Sequence, residues 1–216
     1  MKLCNKSFLS STLVVLSLAL ISSVSYAAQI TTLFGANNGG GPGGAVYFDL
    51  QTGANGIEIT GFDTNAGEIG VFAGWQLYLM EGTSAFGSES NAESWSLSAT
   101  GTVNGLGTNN ASQVLLDNTV TLEANTLYGV AMVMGAGMGH DYTNGNGSNQ
   151  FYSNGDLSLS FGSATNTPFG SPTFQPRVWN GTVKYEVITA PEPSSLALLG
   201  LGLTGLGLTR RKKLAA

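Results

Sequence analysis

The chain has 216 residues, with eight Lys or Arg, thirteen Asp or Glu, one His and one Cys, and a formal net charge of −5. Six of the eight cations lie at the two ends, leaving Arg177 and Lys184 to face twelve carboxylates in the stretch between them. That stretch, with a net charge of about −10, cannot neutralise phosphates, which excludes a nucleic-acid partner and disfavours acidic polysaccharides and anionic lipid head groups.

At the N-terminus, Lys2 and Lys6 precede an apolar run from Phe8 to Ile21 and a small-residue segment from Ser22 to Ala27. This order is that of a signal peptide, residues 1–27, with Ser25 and Ala27 at the positions a signal peptidase reads and cleavage between Ala27 and Ala28. The lone Cys4 leaves with it, so the remaining body has no disulfide, no thiolate nucleophile and no thiolate metal site. The body, residues 28–189, is about 160 residues long, a usual size for one domain with a single core.

Within the body two-residue alternation recurs, and no apolar set repeats at helical spacing over three turns, which predicts strands and no helix. Gln29 to Phe34 and Ala45 to Leu50 flank a flexible glycine-rich loop, 35–44, and Ile57 and Ile59 alternate with Glu58 and Thr60. In the longest strand, Val71, Ala73, Trp75, Leu77 and Leu79 are expected on one face, with Phe72, Gln76, Tyr78 and Met80 on the other. Apolar on both faces, it is expected to be central and covered twice. Trp95, Leu97 and Ala99 alternate with hydroxyl residues, and two short strands around Val114 and Val120 hinge at Asp117-Asn118. Leu127 to Met134 is nearly all apolar, as in a strand buried on both sides, and Asn144-Gly145-Asn146-Gly147 is turn sequence. Leu157, Leu159 and Phe161 mark the next strand, the three prolines of 167–176 force irregular chain, and 178–187 is the last strand. Eight or nine strands without helices predict an all-β fold, a two-layer antiparallel β-sandwich of jelly-roll-like topology.

Catalytic chemistry has little to build on. The one histidine, His140, has its nearest carboxylate next to it at Asp141; in extended chain adjacent side chains diverge, so the two cannot orient each other as in a triad. Glu89 and Glu93 flank a loop before Trp95, where a sugar could stack, but their spacing is that of a solvated acidic loop. The segments 63–68 and 141–144 are rich in oxygen donors yet match no calcium loop, and one histidine without cysteine makes no zinc site. The reading is therefore no enzyme, no cofactor and no metal. Trp75 and Trp95 fall in phase with leucines and are expected in the core, whereas Tyr142, Phe151, Tyr152 and Trp179 are the candidates for a ligand-facing surface.

The C-terminal tail is the most specific feature. Ala190-Pro191-Glu192-Pro193 leads into an apolar run, Leu196 to Leu208, and then into Arg210-Arg211-Lys212-Lys213. The prolines stop a helix from extending into the body. As a helix, Leu196 to Leu208 spans about 20 Å against about 30 Å of hydrocarbon, so it is short for a permanent anchor. The four basic residues favour the cytoplasm, as do Lys2 and Lys6, which puts the body outside the inner membrane. The whole, residues 190–216 with a membrane segment over 194–209, resembles the PEP-CTERM sorting tail of bacterial exported proteins. That resemblance implies that Pro191, Glu192 and Pro193 are read by exosortase, a membrane-embedded cysteine transpeptidase, after a transient stay in the inner membrane. By the same resemblance the host is an exopolysaccharide-producing Gram-negative bacterium.

The stretches Gly129 to Met134, Gly139 to Gly145 and Pro176 to Thr182 resemble a second unit, a β-rich module of exported bacterial proteins, from about Thr31 to Tyr185. This resemblance implies fold and export and carries no activity. The expected function is a structural or adhesive protein of the envelope surface or extracellular matrix, partnered by signal peptidase and exosortase during export and by extracellular polysaccharide afterwards. The alternatives are a carbohydrate-binding module using exposed aromatics and, third, a glycosidase or other hydrolase.

Overall fold

The computed structural model describes residues 26–189; the segment before Tyr26 and the tail from Ala190 onwards lie outside the described residues. Within them the alternating pattern builds fourteen strands, and the sole helical element is a 3-10 turn at Ala92–Ser94. The strands are β1 (Ala27–Thr31), β2 (Asn38–Gly39), β3 (Ala45–Thr52), β4 (Gly56–Asn65), β5 (Ile69–Glu81), β6 (Ser96–Leu106) and β7 (Ala111–Leu116). They continue with β8 (Val120–Leu122), β9 (Leu127–Val133), β10 (Asp141–Asn144), β11 (Phe151–Ser153), β12 (Leu157–Thr165), β13 (Arg177–Trp179) and β14 (Gly181–Ile188).

Eleven strands form one antiparallel ladder, in the order β1-β14-β4-β7-β6-β5-β9-β3-β12-β11, with β8 added alongside β4; β13-β10-β2 form a small second sheet. The ladder curls until its two ends touch. Asn154, in the turn between β11 and β12, donates its amide to the Tyr185 hydroxyl of β14 at 2.7 Å and to the Gln29 carbonyl of β1 at 3.5 Å. The Tyr185 hydroxyl in turn donates to the Asp156 carboxylate at 3.0 Å. Burial above all pushes this hydroxyl up to about 12, so it stays a donor at any physiological pH. The result is a nearly closed, sandwich-like antiparallel sheet around one core, with more strands than the eight or nine expected. Closure leaves few backbone groups unpaired at the edges, which the alternating pattern by itself cannot reveal.

The core inside is aromatic. Trp179 stacks on Phe48, with ring centroids 5.8 Å apart and planes within 6°, and its Nε1–H donates to Thr64 Oγ1 at 3.0 Å. A second cluster lies on the other face of β3, β9 and β5, where Tyr47, Met80, Ala131 and Val133 are covered by Ala85, Trp95 and Phe169 from two loops. Strand β9 is thus buried on both faces, and β5 is covered on both faces over its second half.

Four local expectations are corrected. In β5, Gly74 (φ +85°) is an extra residue between the pairs Ala73–Thr102 and Trp75–Gly101. This bulge reverses the alternation, so Phe72 faces the core with Trp75, Leu77 and Leu79, while Val71 and Ala73 face out. A second register shift, where Leu77 pairs Ala99 and Tyr78 pairs Leu97, leaves Leu97 exposed. The strand predicted over 178–187 is two strands parted at Asn180: β13 pairs with β10, whereas β14 lies between β1 and β4. A Cβ on Gly181 would overlap the Trp179 ring and the Asp63 carbonyl, so glycine is what lets the chain pass beneath that ring. Finally, the glycine-rich loop 35–44 contains β2, paired to β10.

Candidate functional site

The four aromatic residues expected to face a ligand separate into two groups. Trp179 and Tyr142 are buried, at 1% and 3% exposure, so neither offers a ring to a ligand, and both expectations are corrected. They are direct partners in the β13–β10 pair, whose inner face closes the core. Arg177 covers Tyr142 further, its guanidinium carbon 5.5 Å from that ring centroid and 5.9 Å from that of Phe174. Tyr152 is half-buried, edge-on against Phe161. Phe151, on the edge strand β11, is 62% exposed.

A second exposed ring, Phe86, was not anticipated, because it sits in a loop with no periodicity. Its ring lies over Gly162 of β12, a position where any Cβ would displace it. Phe151 stands opposite Ser160 in the ladder, so the two rings occupy outward positions two residues apart along β12. Beside Phe86 is a cleft of about 430 Å³ lined also by Glu89, Gln150, Phe161, Gln175 and Pro176. A larger cleft, about 590 Å³, lies between the start of β6 and β8 and is lined by Glu81, Thr83, Ser94, Ser96, Ser98, Thr121 and Glu123. It is rich in hydroxyl and carboxylate oxygens, with no cation among its lining residues. Glu81 and Glu123 also lie close enough to Tyr128 to raise its pKa, after the larger effect of burial.

The Glu89 and Glu93 pair is not brought together in either cleft. Glu89 is buried and spent on structure, its carboxylate accepting from Gly87 N–H at 2.8 Å and Ser163 Oγ at 3.0 Å. Glu93 sits exposed on the 3-10 turn. The two oxygen-rich segments, by contrast, do meet: Ala66 bridges to His140, Gly139 N–H donates to Glu68 at 3.0 Å, and the Asp141 carboxylate packs against Gly67. Two carboxylates fall well short of the six to eight oxygens calcium takes. Among the described residues no group of three His, Cys, Asp or Glu gathers in one place.

His140 is sealed from solvent at 2% exposure. A carbonyl only accepts, so the 3.0 Å contact to the Met132 carbonyl fixes the proton on Nε2. Burial outweighs that bond and holds the imidazole down at about 4, so the ring is neutral when folded. Between pH 4 and the ordinary histidine value of about 6.5 the unfolded chain therefore binds the extra proton, and stability falls as pH falls through that window. The size of the effect is about 3 kcal/mol. Thermal unfolding of the wild type and of His140→Gln between pH 7 and pH 4 is expected to show a steeper acid loss in the wild type. Parallel pH profiles would place the ring in contact with water.

Residues 189–212 match the family model described as the PEP-CTERM protein-sorting motif. No curated protein matches the chain. Among solved structures, one titled as infectious bursal disease virus, Gx strain, is 16% identical, covering 89% of this chain and 49% of that one, at a TM-score of 0.26. Another, of the Gt strain, is 14% identical, covering 90% and 49%, at a TM-score of 0.23. The chain thus spans about half the length of these structures, and at such scores the likeness bears on neither fold nor function. Ala27 and Ala28, the expected cleavage pair, begin β1, opposite Glu186 and Tyr185. Pro191, Glu192, Pro193, the apolar run and Arg210 to Lys213 lie outside the described residues, as does the signal peptide before Tyr26. Among the described residues no helix is long and apolar enough to cross a membrane. The chain carries the PEP-CTERM protein-sorting motif at residues 189–212, the mark of an exported protein that exosortase processes.

Proposed function

We propose that the protein is a non-enzymatic structural or adhesive component, delivered by its sorting tail to the cell surface or the extracellular matrix. The observation that carries this reading is the tail itself, joined to a body in which the two groups first considered for catalysis, His140 and Glu89, are tied into the fold. The only imidazole is sealed against Met132, and Glu89 holds a loop through Gly87 and Ser163. A disulfide-free, acidic, nearly closed sheet suits persistence outside the cell in a matrix of extracellular polysaccharide, where its charge resists collapse onto anionic polymers.

A second reading, carbohydrate binding, is favoured by Phe86 in a cleft with glutamine amides, by exposed Phe151 next in the chain to its Gln150, and by the hydroxyl-lined cleft near Glu81 and Glu123. Aromatic faces and uncharged polar groups fit neutral glycans. One experiment separates the readings. The body, residues 28–189, is incubated with a panel of neutral oligosaccharides, and binding and product mass are followed together. The structural reading expects neither saturable binding nor cleavage. Binding without product that is lost in Phe151→Ala would move the function to glycan recognition, and any product would overturn the non-enzymatic assignment.

A further inference from the structure

Three of the five methionines fall within seven residues, at Met132, Met134 and Met138, and the single histidine follows at His140. All four side chains are buried. Met132 and Met134 alternate with Ala131 and Val133, so their thioethers enter the main core while their neighbours join the second cluster. Met134 N–H donates to the Gly44 carbonyl and Gly43 N–H to the Met138 carbonyl, both at 2.9 Å, so one dipeptide of the glycine-rich loop holds both residues. Met138 turns back on Gly135, and its side chain joins the same core. His140 completes the group: its Nε2–H donates to the Met132 carbonyl at 3.0 Å, and its backbone bridges to Ala66, itself buried in that core.

The imidazole is only half satisfied. With the proton on Nε2, the other nitrogen, Nδ1, presents a lone pair, and it is buried without a hydrogen-bond partner. A buried acceptor left unpaired is costly, so this one asks for a donor or a cation. What the backbone gathers around the histidine is thioether sulfur, a soft, neutral metal ligand. We propose that His140 Nδ1 and the sulfurs of Met132, Met134 and Met138 bind one Cu(I) ion.

The ligand set selects the metal. Calcium and magnesium take oxygen, which none of these side chains supplies, and zinc favours thiolate, imidazole and carboxylate over thioether. Cu(I) takes sulfur and imidazole together. Four neutral ligands leave its positive charge intact, and a body with twelve carboxylates against two cations attracts it. The way in is short. Ala136 and Gly137, at the crown of the turn between Met134 and Met138, are exposed, so the sulfurs lie directly beneath the surface. An exported body with this site holds copper outside the cytoplasm.

The test uses the exported chain, purified in mild detergent with methionine methyl groups labelled for NMR, and silver(I) as a soft probe that undergoes no redox change. The methyl signals of Met132, Met134 and Met138 are expected to shift together and saturate at one silver ion per chain. Met80, in the second cluster, is the internal control and should not move. Under anaerobic conditions the same chain should take one Cu(I) from a chromogenic chelator. The double variant Met134→Leu, Met138→Leu keeps the core volume and is expected to melt like the wild type. Its silver and copper affinities should fall by about tenfold or more. Methionine signals that stay in place, or a shift confined to Met80, would overturn the proposal. So would a double variant that binds as tightly as the wild type, which would give the metal to surface nitrogen and oxygen. None of these readouts involves glycan binding or tail processing, so the functional reading keeps its own test.

Discussion

Glu192→Ala is expected to stop processing of the tail while leaving export and folding of the body intact. Glu192 is the only carboxylate outside the body, and Pro191 and Pro193 restrict the backbone on either side of it. A segment already restricted to extended conformations loses little entropy on entering an enzyme cleft, so its single charge can dominate recognition. The motif matched at residues 189–212 includes it. In a host with the sorting enzyme, the mutant should accumulate as a membrane-bound precursor held by the apolar run and the basic end, and wild type and mutant are compared by mass in membrane and released fractions. Release of the mutant at the wild-type mass would show that Pro191-Glu192-Pro193 is not what is read. The tail would then be a plain anchor.

Trp179→Ala is expected to have the largest effect on the body. The ring is 1% exposed, stacks on Phe48, meets Phe62 edge-on with centroids 6.2 Å apart, and bonds Thr64 through Nε1. Removing it leaves a cavity and an unpaired hydroxyl, at a cost of about 3–5 kcal/mol. In a domain of about 160 residues this lowers the melting temperature by about 10 °C or more. Phe151→Ala, at an exposed edge, should cost less than about 0.5 kcal/mol. Thermal unfolding of both variants checks the pair. A Trp179→Ala protein melting within a few degrees of the wild type would mean that the ring is not part of the core, and would reopen it as a ligand contact.

The errors in reading single strands share one cause. Alternation states which residues share a face only while the register is unbroken, and a bulge is a relation between two strands. Nothing in Val71-Phe72-Ala73-Gly74-Trp75 alone says that Gly74 will be the extra residue opposite Thr102 and Gly101. The glycine was a visible hint, since an isolated glycine in a strand pattern often marks a bulge. In the same way Val178 to Val187 reads as one strand because its apolar residues alternate, yet β13 and β14 find different partners. Trp179 looked uncertain because tryptophan serves equally as a platform and as core, and only the partners of its strand decide which.

By itself the sequence determined the sorting signal and the all-β class. The sorting tail is legible because an enzyme and a membrane read a linear chain: proline, carboxylate, apolar run and cations act in the order in which they are written. The all-β class is legible because side chains of an extended chain alternate sides whatever the partner strand. The tertiary structure alone decided that the ladder closes on itself through Asn154, Tyr185 and Asp156, that Trp179 is core, and that His140 is sealed and neutral. It also decided that Gly43, Gly44 and Ala66 hold Met134, Met138 and His140 together against the core. Each of these depends on residues far apart in the chain meeting across strands, and burial and charge balance exist only once they have met.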